Sequence, residues 1–318
     1  MPSLTIATFN CENLFRRFKF SSSLTKTQID NAVENGFIVN RSLFATVPQP
    51  EKKLTAKMIK DTKADIIALQ EVENLETLKN FCSEQDLSAL YPYKLVIDGN
   101  DPRLIDVAVL SKIPFSRIMT HQFLKNEKKQ WLFSRDCLEL EFLVDGKPFL
   151  LFVNHLKSMF DLTDPDNGRA KSAAKRMEQV DGILKIVNDK MGRKTSTAAF
   201  AIVGDFNDYP SGDSSLKKLF KTKWLQNIVD NLPAEERWTH FWDNTKLKEE
   251  ERYCQLDYIW LSKGLMKLNA NVLPVINRKG LSRKAKHPVI TSRYPEIETS
   301  DKIISASDHC SVAVTISI

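Results

Sequence analysis

The polar residues most able to do chemistry in this chain sit at the ends of short aliphatic runs. Asn10, Glu12, Glu71, Asn154, His155, Asp205, Asn207, Asp257, Asp308 and His309 are placed in this way. Carboxylates, amides and imidazoles without thiolate partners form a donor set suited to hard cations such as magnesium, manganese or calcium. Phosphate esters are natural substrates for such ions, which polarise a phosphoryl oxygen. Taken alone, a carboxylate at a strand end is more often a cap or a solvated group. The recurrence of such groups at successive strand ends argues for a common site.

The elements that must position these groups follow from the apolar runs. Leu4–Phe9, Asp65–Leu69, Asp106–Leu110, Phe149–Val153, Ala198–Val203, Tyr258–Leu261 and Val312–Ile318 read as buried strands bounded by turn-forming residues. Helical stretches fall between them at Glu51–Thr62, Asn74–Glu84 and Arg169–Met191. In the last of these, Ala173, Met177, Val180, Ile183, Leu184 and Val187 recur at helical spacing. The segment Leu138–Phe152 turns at Asp145-Gly146, so part of the sheet must be antiparallel. Alternating strands and helices with an antiparallel portion predict a mixed, layered α/β sandwich. No internal repeat or low-complexity linker divides residues 1–318, which predicts one domain. Arg16–Pro50 is too long for an ordinary connector and reads as an insertion at 16–50.

Composition excludes several classes. With 42% hydrophobic and 27% charged residues the chain is neither disordered nor collagen-like, and at 318 residues it can bury a large core. The net charge of +6 permits an anionic substrate. The cysteines Cys11, Cys82, Cys137, Cys254 and Cys310 lack metal-ligand spacing and read as reduced thiols, which favours a reducing, cytoplasmic setting. There is no basic segment followed by an apolar stretch at the N-terminus, and no run approaches the roughly 20 apolar residues of a membrane span. A soluble monomer without a membrane anchor is expected.

Six blocks in order carry a specific resemblance: Thr-Phe-Asn10-Cys-Glu12-Asn13-Leu, Ile-Ala-Leu-Gln-Glu71-Val-Glu-Asn, Val-Asn154-His155-Leu-Lys157-Ser, Val-Gly-Asp205-Phe-Asn207-Asp, Leu-Asp257-Tyr-Ile and Ser-Asp308-His309. They resemble the signature blocks of the endonuclease/exonuclease/phosphatase superfamily over nearly the whole chain. The resemblance implies a four-layer α-β-β-α sandwich with two mixed β-sheets and a site at one end of both sheets. It implies a divalent ion, Mg2+ with Mn2+ or Ca2+ as alternatives. Glu71 would be the principal ligand, with Glu12, Asn10 and Asp308 near or on the same ion, and Asn13 could take the place of Glu12. Asp205 would orient or deprotonate water, and Asn207 would donate to the phosphate or to that water. His309, oriented by Asp257, would stabilise phosphate charge. His155 would be a second imidazole, protonating the leaving oxygen. Arg135 either touches the site or forms a surface ion pair, and Lys157 either contacts phosphate or snorkels at a sheet edge.

The resemblance implies a phosphodiesterase acting on nucleic acid, DNA most simply. The rival is a phosphatase or phosphodiesterase for a small-molecule or lipid phosphoester. A tryptophan-rich strand and a Cys-Asp-Arg segment, as in inositol phosphatases, are absent: the chain reads Ala-Ile-Val-Gly-Asp205 and Gln-Leu-Asp257-Tyr. A non-catalytic binding module would have lost ligand or histidine positions, and here all are filled. Arg169, Lys171, Lys175 and Arg176 open a helix, and Arg278–His287 holds six basic residues in ten; both are solvated charge unless they flank the site, where they would favour a polyanion. Trp131, Trp224, Trp238 and Trp242 read as core or rim residues, and His121, His240 and His287 match no block.

Overall fold

The computed structural model describes residues 2–14, 36–39, 42–45, 49–103, 105–159, 167–242, 252–281 and 305–318. The strands in chain order are β1 (Ser3–Leu14), β2 (Gly36–Val39), β3 (Ser42–Ala45), β4 (Ile66–Val72), β5 (Tyr93–Ile97), β6 (Asp106–Ser111), β7 (Arg117–Met119), β8 (Leu138–Val144), β9 (Lys147–His155), β10 (Phe200–Asp205), β11 (Leu225–Asn227), β12 (His240–Phe241), β13 (Tyr253–Cys254), β14 (Asp257–Ser262), β15 (Val275–Asn277) and β16 (Ser311–Ser317). The main helices span Gln49–Asp61, Leu75–Glu84 and Gly168–Met191. Asn74 caps the second by accepting the Thr77 N–H at 2.8 Å. Of the insertion expected at 16–50, β2 and β3 pair as an antiparallel hairpin, and most of the remainder lies outside the described residues, as does Arg278–His287 beyond Leu281.

Two six-stranded sheets form, in the orders β15-β16-β1-β4-β6-β5 and β11-β14-β10-β9-β8-β7. Each is mixed, with a single parallel pair near its middle, β1 with β4 and β9 with β10. The predicted hairpin is present: β8 and β9 are joined through Asp145 and Gly146, both at positive φ as the tight turn requires.

Successive residues on the central strands feed different cores. Leu4, Ile6, Ala68, Leu151, Val153, Ala201, Val203 and Ile259 fill the space between the sheets. Ala7, Phe9, Ile67 and Leu69 face the other way, against Met58, Ile59, Leu78 and Phe81 of the first two helices. On the second sheet Phe152, Phe200, Ile202 and Trp260 meet Val180, Ile183 and Val187 of the long helix. Three cores between four layers make the α-β-β-α sandwich, and strands buried on both faces explain why their sequences are continuously apolar.

The seam between the sheets becomes polar at one end. Two residues beyond Val153, Val203 and Ile259 on the same face stand His155, Asp205 and Asp257, and the register pairs His155 with Asp205 and Asp205 with Asp257 in one row. Across the seam, Thr8 and Gln70 are joined by a buried hydrogen bond of 3.1 Å, and Asn10 follows.

Gly204 lies beside Asn154 in this region with φ +137°, and a Cβ there would sit 1.9 Å from the Asn154 carbonyl oxygen. The obstacle is backbone in a paired strand, so it cannot turn aside. Gly204→Ala is expected to destabilise the protein by roughly 3 kcal/mol or more, read as a fall in denaturant midpoint; a midpoint equal to wild type would show that the strands separate freely at this point.

Candidate active site

A cleft of about 470 Å3 opens where the polar ends of the two sheets meet. It is lined by Asn10, Glu12, Glu71, Arg135, His155, Asp205, Asn207, Asp308 and His309 among others. Asp257 stands behind His309, and Lys157 lies outside the lining with its Nζ 3.5 Å from the Ser158 carbonyl oxygen. A larger groove of about 830 Å3 beside β15 has Asp61 as its one acid among the described residues and no histidine.

Asp205 is the hub. Its Oδ2 accepts hydrogen bonds from Asn10 Nδ2 (3.0 Å) and Asn207 Nδ2 (2.9 Å), and lies 3.4 Å from His155 Nε2 and 3.9 Å from His309 Nε2. Its Oδ1 accepts the Asn207 N–H at 2.8 Å. Burial and the nearby Asp257 carboxylate push Asp205 up to about 6.

The two central imidazoles are driven apart in charge. His309 Nδ1 lies 2.8 Å from Asp257 Oδ2, which also accepts the Thr239 hydroxyl at 2.7 Å. Burial opposes a charge on His309, but Asp257, Asp205 and Asp308 outweigh it and hold its pKa well above the ordinary value. His155 is pushed well below the ordinary value by burial and by Arg135, and is a neutral imidazole. Pairs of titrating groups with opposed environments are what acid–base chemistry uses.

The remaining carboxylates stand at the mouth of the seam in a strained backbone. Alternation along β4 would send Glu71 to the helix side with Ile67 and Leu69. A register shift between Gln70 and Val72, with φ +63° at Glu71, turns it into the cleft. Glu12 and Asn13 sit in a matching irregularity of β1 at φ +43° and +66°, and Asn207 is at +51°. Glu71 Oε2 accepts the Asn13 N–H (3.0 Å), and Glu12 Oε2 accepts the Asp308 N–H (2.9 Å). Glu71 is pushed up by burial and by the Asp308 carboxylate. Glu12 is pushed up to about 7 by loss of solvation and again by Asp308.

Several sequence-based expectations are corrected. His240, to which no block pointed, stands in the cleft: its ring meets His309 edge-on with centroids 4.6 Å apart, and its Nε2 is 3.4 Å from Asp308 Oδ2. Burial disfavours charge on both partners, yet the pair holds Asp308 down to about 2 and lifts His240 to about 9. Arg135 makes no surface ion pair; it is 1% exposed, donating to Asp101 Oδ2 at 3.0 Å and to the Leu156 carbonyl. Of the four cations at the basic helix start, Lys171 is exposed but the two arginines are not a solvated face. Arg176 is fully buried and donates to Ser215 Oγ (3.0 Å) and the Arg169 carbonyl (2.6 Å), while Arg169 grips Asp208 at 2.7 Å and Asp213 at 2.8 Å. Together they fasten the loop after Asn207. Arg103, unmarked in the sequence, lines the cleft.

The donor chemistry fits a divalent cation. Glu12 and Glu71 face Asp308 with their pKa values raised, so like charges are crowded there without a basic side chain bonded to either glutamate oxygen that takes a backbone N–H. A hard cation would relieve that repulsion. Two sets of potential ligand atoms lie within 4.8 Å of one another among the described residues, His240, Asp308 and His309, and Asp205, Asp257 and His309. Neither is the Asn10, Glu12, Glu71 and Asp308 set, whose carboxylates are spread among separate backbone donors.

A mixed four-layer sandwich ending in carboxylates, amides and two imidazoles, one cationic and one neutral, defines a metal-dependent hydrolase of phosphate esters. The particular group is given by sequence: residues 5–287 match the profile described as the Endonuclease/Exonuclease/phosphatase family, and the chain belongs to it. The Asp308-His309 block lies beyond that match and is brought to the site by the pairing of β16 with β1. None of the curated proteins compared with the chain matches it. Among solved structures the chain is similar to TDP2 of D. rerio complexed with a single strand DNA product (15% identity, TM-score 0.57, 99% of each chain covered). It is also similar to the human Nocturnin catalytic domain with bound sulfate (17% identity, TM-score 0.59, 100% of this chain and 95% of that one). A third likeness is to an endonuclease/exonuclease/phosphatase family protein from Bacteroides thetaiotaomicron (17% identity, TM-score 0.59, 99% and 98%). These likenesses extend the agreement in fold to the full length. No helix among the described residues is long and apolar enough to cross a membrane.

The crowding of carboxylates has a measurable consequence. In chelator at pH 8, Glu71→Gln is expected to melt above wild type, by the order of 1 kcal/mol. The gain should shrink as pH falls, because a raised pKa means the wild-type carboxyl takes up its proton and the repulsion is lost on the acid side. Magnesium should then stabilise wild type more than the variant, and equal magnesium shifts in both would remove Glu71 from the ion's ligands.

Proposed function

We propose that this protein is a divalent-metal-dependent phosphodiesterase that hydrolyses nucleic acid, with DNA as its substrate and Mg2+ as its ion. The observation that carries the reading is the Asp205 carboxylate, held by Asn10 and Asn207 and approached by both His155 and His309. Glu71, with Glu12, Asn10 and Asp308, would hold the ion, which when bound polarises a phosphoryl oxygen.

The chain's own residues divide the rest of the work. Asp205, poised near 6, orients the attacking water and takes its proton. His309 meets the charge that develops on the phosphate as a cation, kept in place by Asp257 through Nδ1, which leaves Nε2 facing the cleft. His155, held neutral, acts as an N–H donor to a phosphoryl or leaving oxygen. Asn207, fixed in a left-handed conformation, holds Asp205 in place: its amide donates to Asp205 Oδ2 and to the Leu156 carbonyl, so its part is positioning and not the donation to phosphate or water that the resemblance implied. DNA is favoured by the net charge of +6 and by the likeness to D. rerio TDP2, which carries a single strand DNA product.

The test is hydrolysis of a DNA oligonucleotide, an RNA oligonucleotide, a phospholipid and a soluble phosphomonoester, each with magnesium and with chelator. Activity on DNA that chelator abolishes and magnesium restores is expected. Asp205→Asn and His309→Ala should each lower kcat by roughly 10²–10⁴-fold while substrate affinity changes little. Turnover preserved in chelator, or near-normal kcat in either variant, would overturn the corresponding role.

A further inference from the structure

The wall of the cleft facing the carboxylates is cationic, and it contains an arginine in an arrangement unlike an ordinary ion pair. Arg103 lies in the turn between β5 and β6, and its side chain is 55% exposed at the cleft rim. It is held two-pronged by one carboxylate: Nε donates to Asp101 Oδ1 and Nη2 to Asp101 Oδ2, both at 3.2 Å, and the Arg103 backbone N–H also donates to Oδ1 at 2.9 Å. The same Oδ2 accepts Arg135 Nη1 at 3.0 Å from the floor of the cleft. Asp101 is therefore shared. Two guanidinium groups against one carboxylate leave a net positive charge, and Arg103 Nη1 has no partner among the described residues.

This geometry suits anion capture. A guanidinium carries five N–H donors in a rigid plane, and Asp101 occupies two of them, leaving three directed away from the carboxylate. Because the Asp101 fork and the Arg103 backbone bond fix the plane before any ligand arrives, little side-chain entropy remains to be lost on binding. The positive field reaches into the site: His155 and Lys157 are both pushed down, after burial, by Arg135 and then in part by Arg103. Depth separates the two arginines. Arg135 is 1% exposed and belongs to the floor, near Glu71 and Asp205, whereas Arg103 stands at the rim.

We infer that Arg103 clamps the phosphate next to the scissile one in a nucleic acid strand, so that it selects a polymer over a lone phosphate ester. The inference rests on the reading of the cleft as a nucleic acid site and adds to it a residue that recognises chain continuity. A guanidinium serving Asp101 alone would be the ordinary alternative, and it would contribute nothing to strand binding.

The experiment is anisotropy of a labelled 12-nucleotide single strand in chelator over a salt titration, for wild type, Arg103→Gln and Arg103→Lys. The Arg103→Gln protein should bind about tenfold more weakly at low salt, and its slope of log affinity against log salt should be flatter by about 0.7, one phosphate contact on a single strand. Arg103→Lys should restore most of the slope because it keeps the charge. With magnesium, the loss in kcat/KM of Arg103→Gln should be at least about five times larger for the strand than for a small chromogenic phosphodiester. Equal affinities and slopes in wild type and Arg103→Gln, no strand binding by wild type, or proportionate losses on both substrates would each overturn the clamp. Arg103-dependent binding without cleavage of DNA would overturn the proposed activity and leave the clamp standing; DNA cleavage with an Arg103-independent slope would do the reverse.

Discussion

An ionised carboxylate buried between two sheets must be given donors, and at Asp205 that demand organises the whole cleft. The residue is 1% exposed, and a buried charge without partners would cost several kcal/mol. Its donors come from separate elements, Asn10 from β1 in one sheet and Asn207 from the loop after β10, and the His155 and His309 rings, from the end of β9 and the approach to β16, stand 3.4 and 3.9 Å away. Each contact holds only if the registers of both sheets are correct, so the sandwich and the site cannot vary independently. Gly204 belongs to the same constraint, because any side chain next to Asp205 would strike the neighbouring strand.

The site stores strain that the three cores offset. Glu12, Asn13, Glu71 and Asn207 all adopt left-handed backbone conformations, which cost of order 1 kcal/mol or more for residues other than glycine. The strain has a geometric purpose at Glu71, which is turned from the helix-facing side into the cleft. The crowding of acids with raised pKa values around Asp308 points the same way: stability is given up at the cleft mouth and recovered in layers of Phe, Ile, Leu and Val elsewhere.

What could be read from the amino acids, and what could not, divides along physical lines. β1, β4, β6, β9, β10, β14 and β16 announce themselves because most are sandwiched between two cores and must be apolar on both faces. The four sheet edges, β5, β7, β11 and β15, were not foreseen; three of them are only three residues long, and half-exposed edges need no such pattern. Of the six blocks, Asn10, Glu12, Glu71, His155, Asp205, Asn207, Asp308 and His309 line one cleft. His240 escaped because it acts through Asp308, 68 positions away, and Arg103 because the carboxylate it grips, Asp101, is shared with Arg135 from a distant part of the chain. Arg169 and Arg176 were misread for a related reason: a helix start rich in cations looks solvated until the tertiary fold brings Asp208, Asp213 and Ser215 against it. The spacing of Lys157 from His155 did not tell that its amine would fall beside the cleft wall instead of within it.

The place of β16 has a consequence for how the enzyme comes into being. This strand lies between β15 and β1, so the segment that carries Asp308 and His309 docks against residues some 300 positions earlier in the chain. Chains fold as they emerge, N-terminal parts first. The cleft is therefore incomplete until this strand has paired with β1, which brings up the imidazole that Asp257 orients.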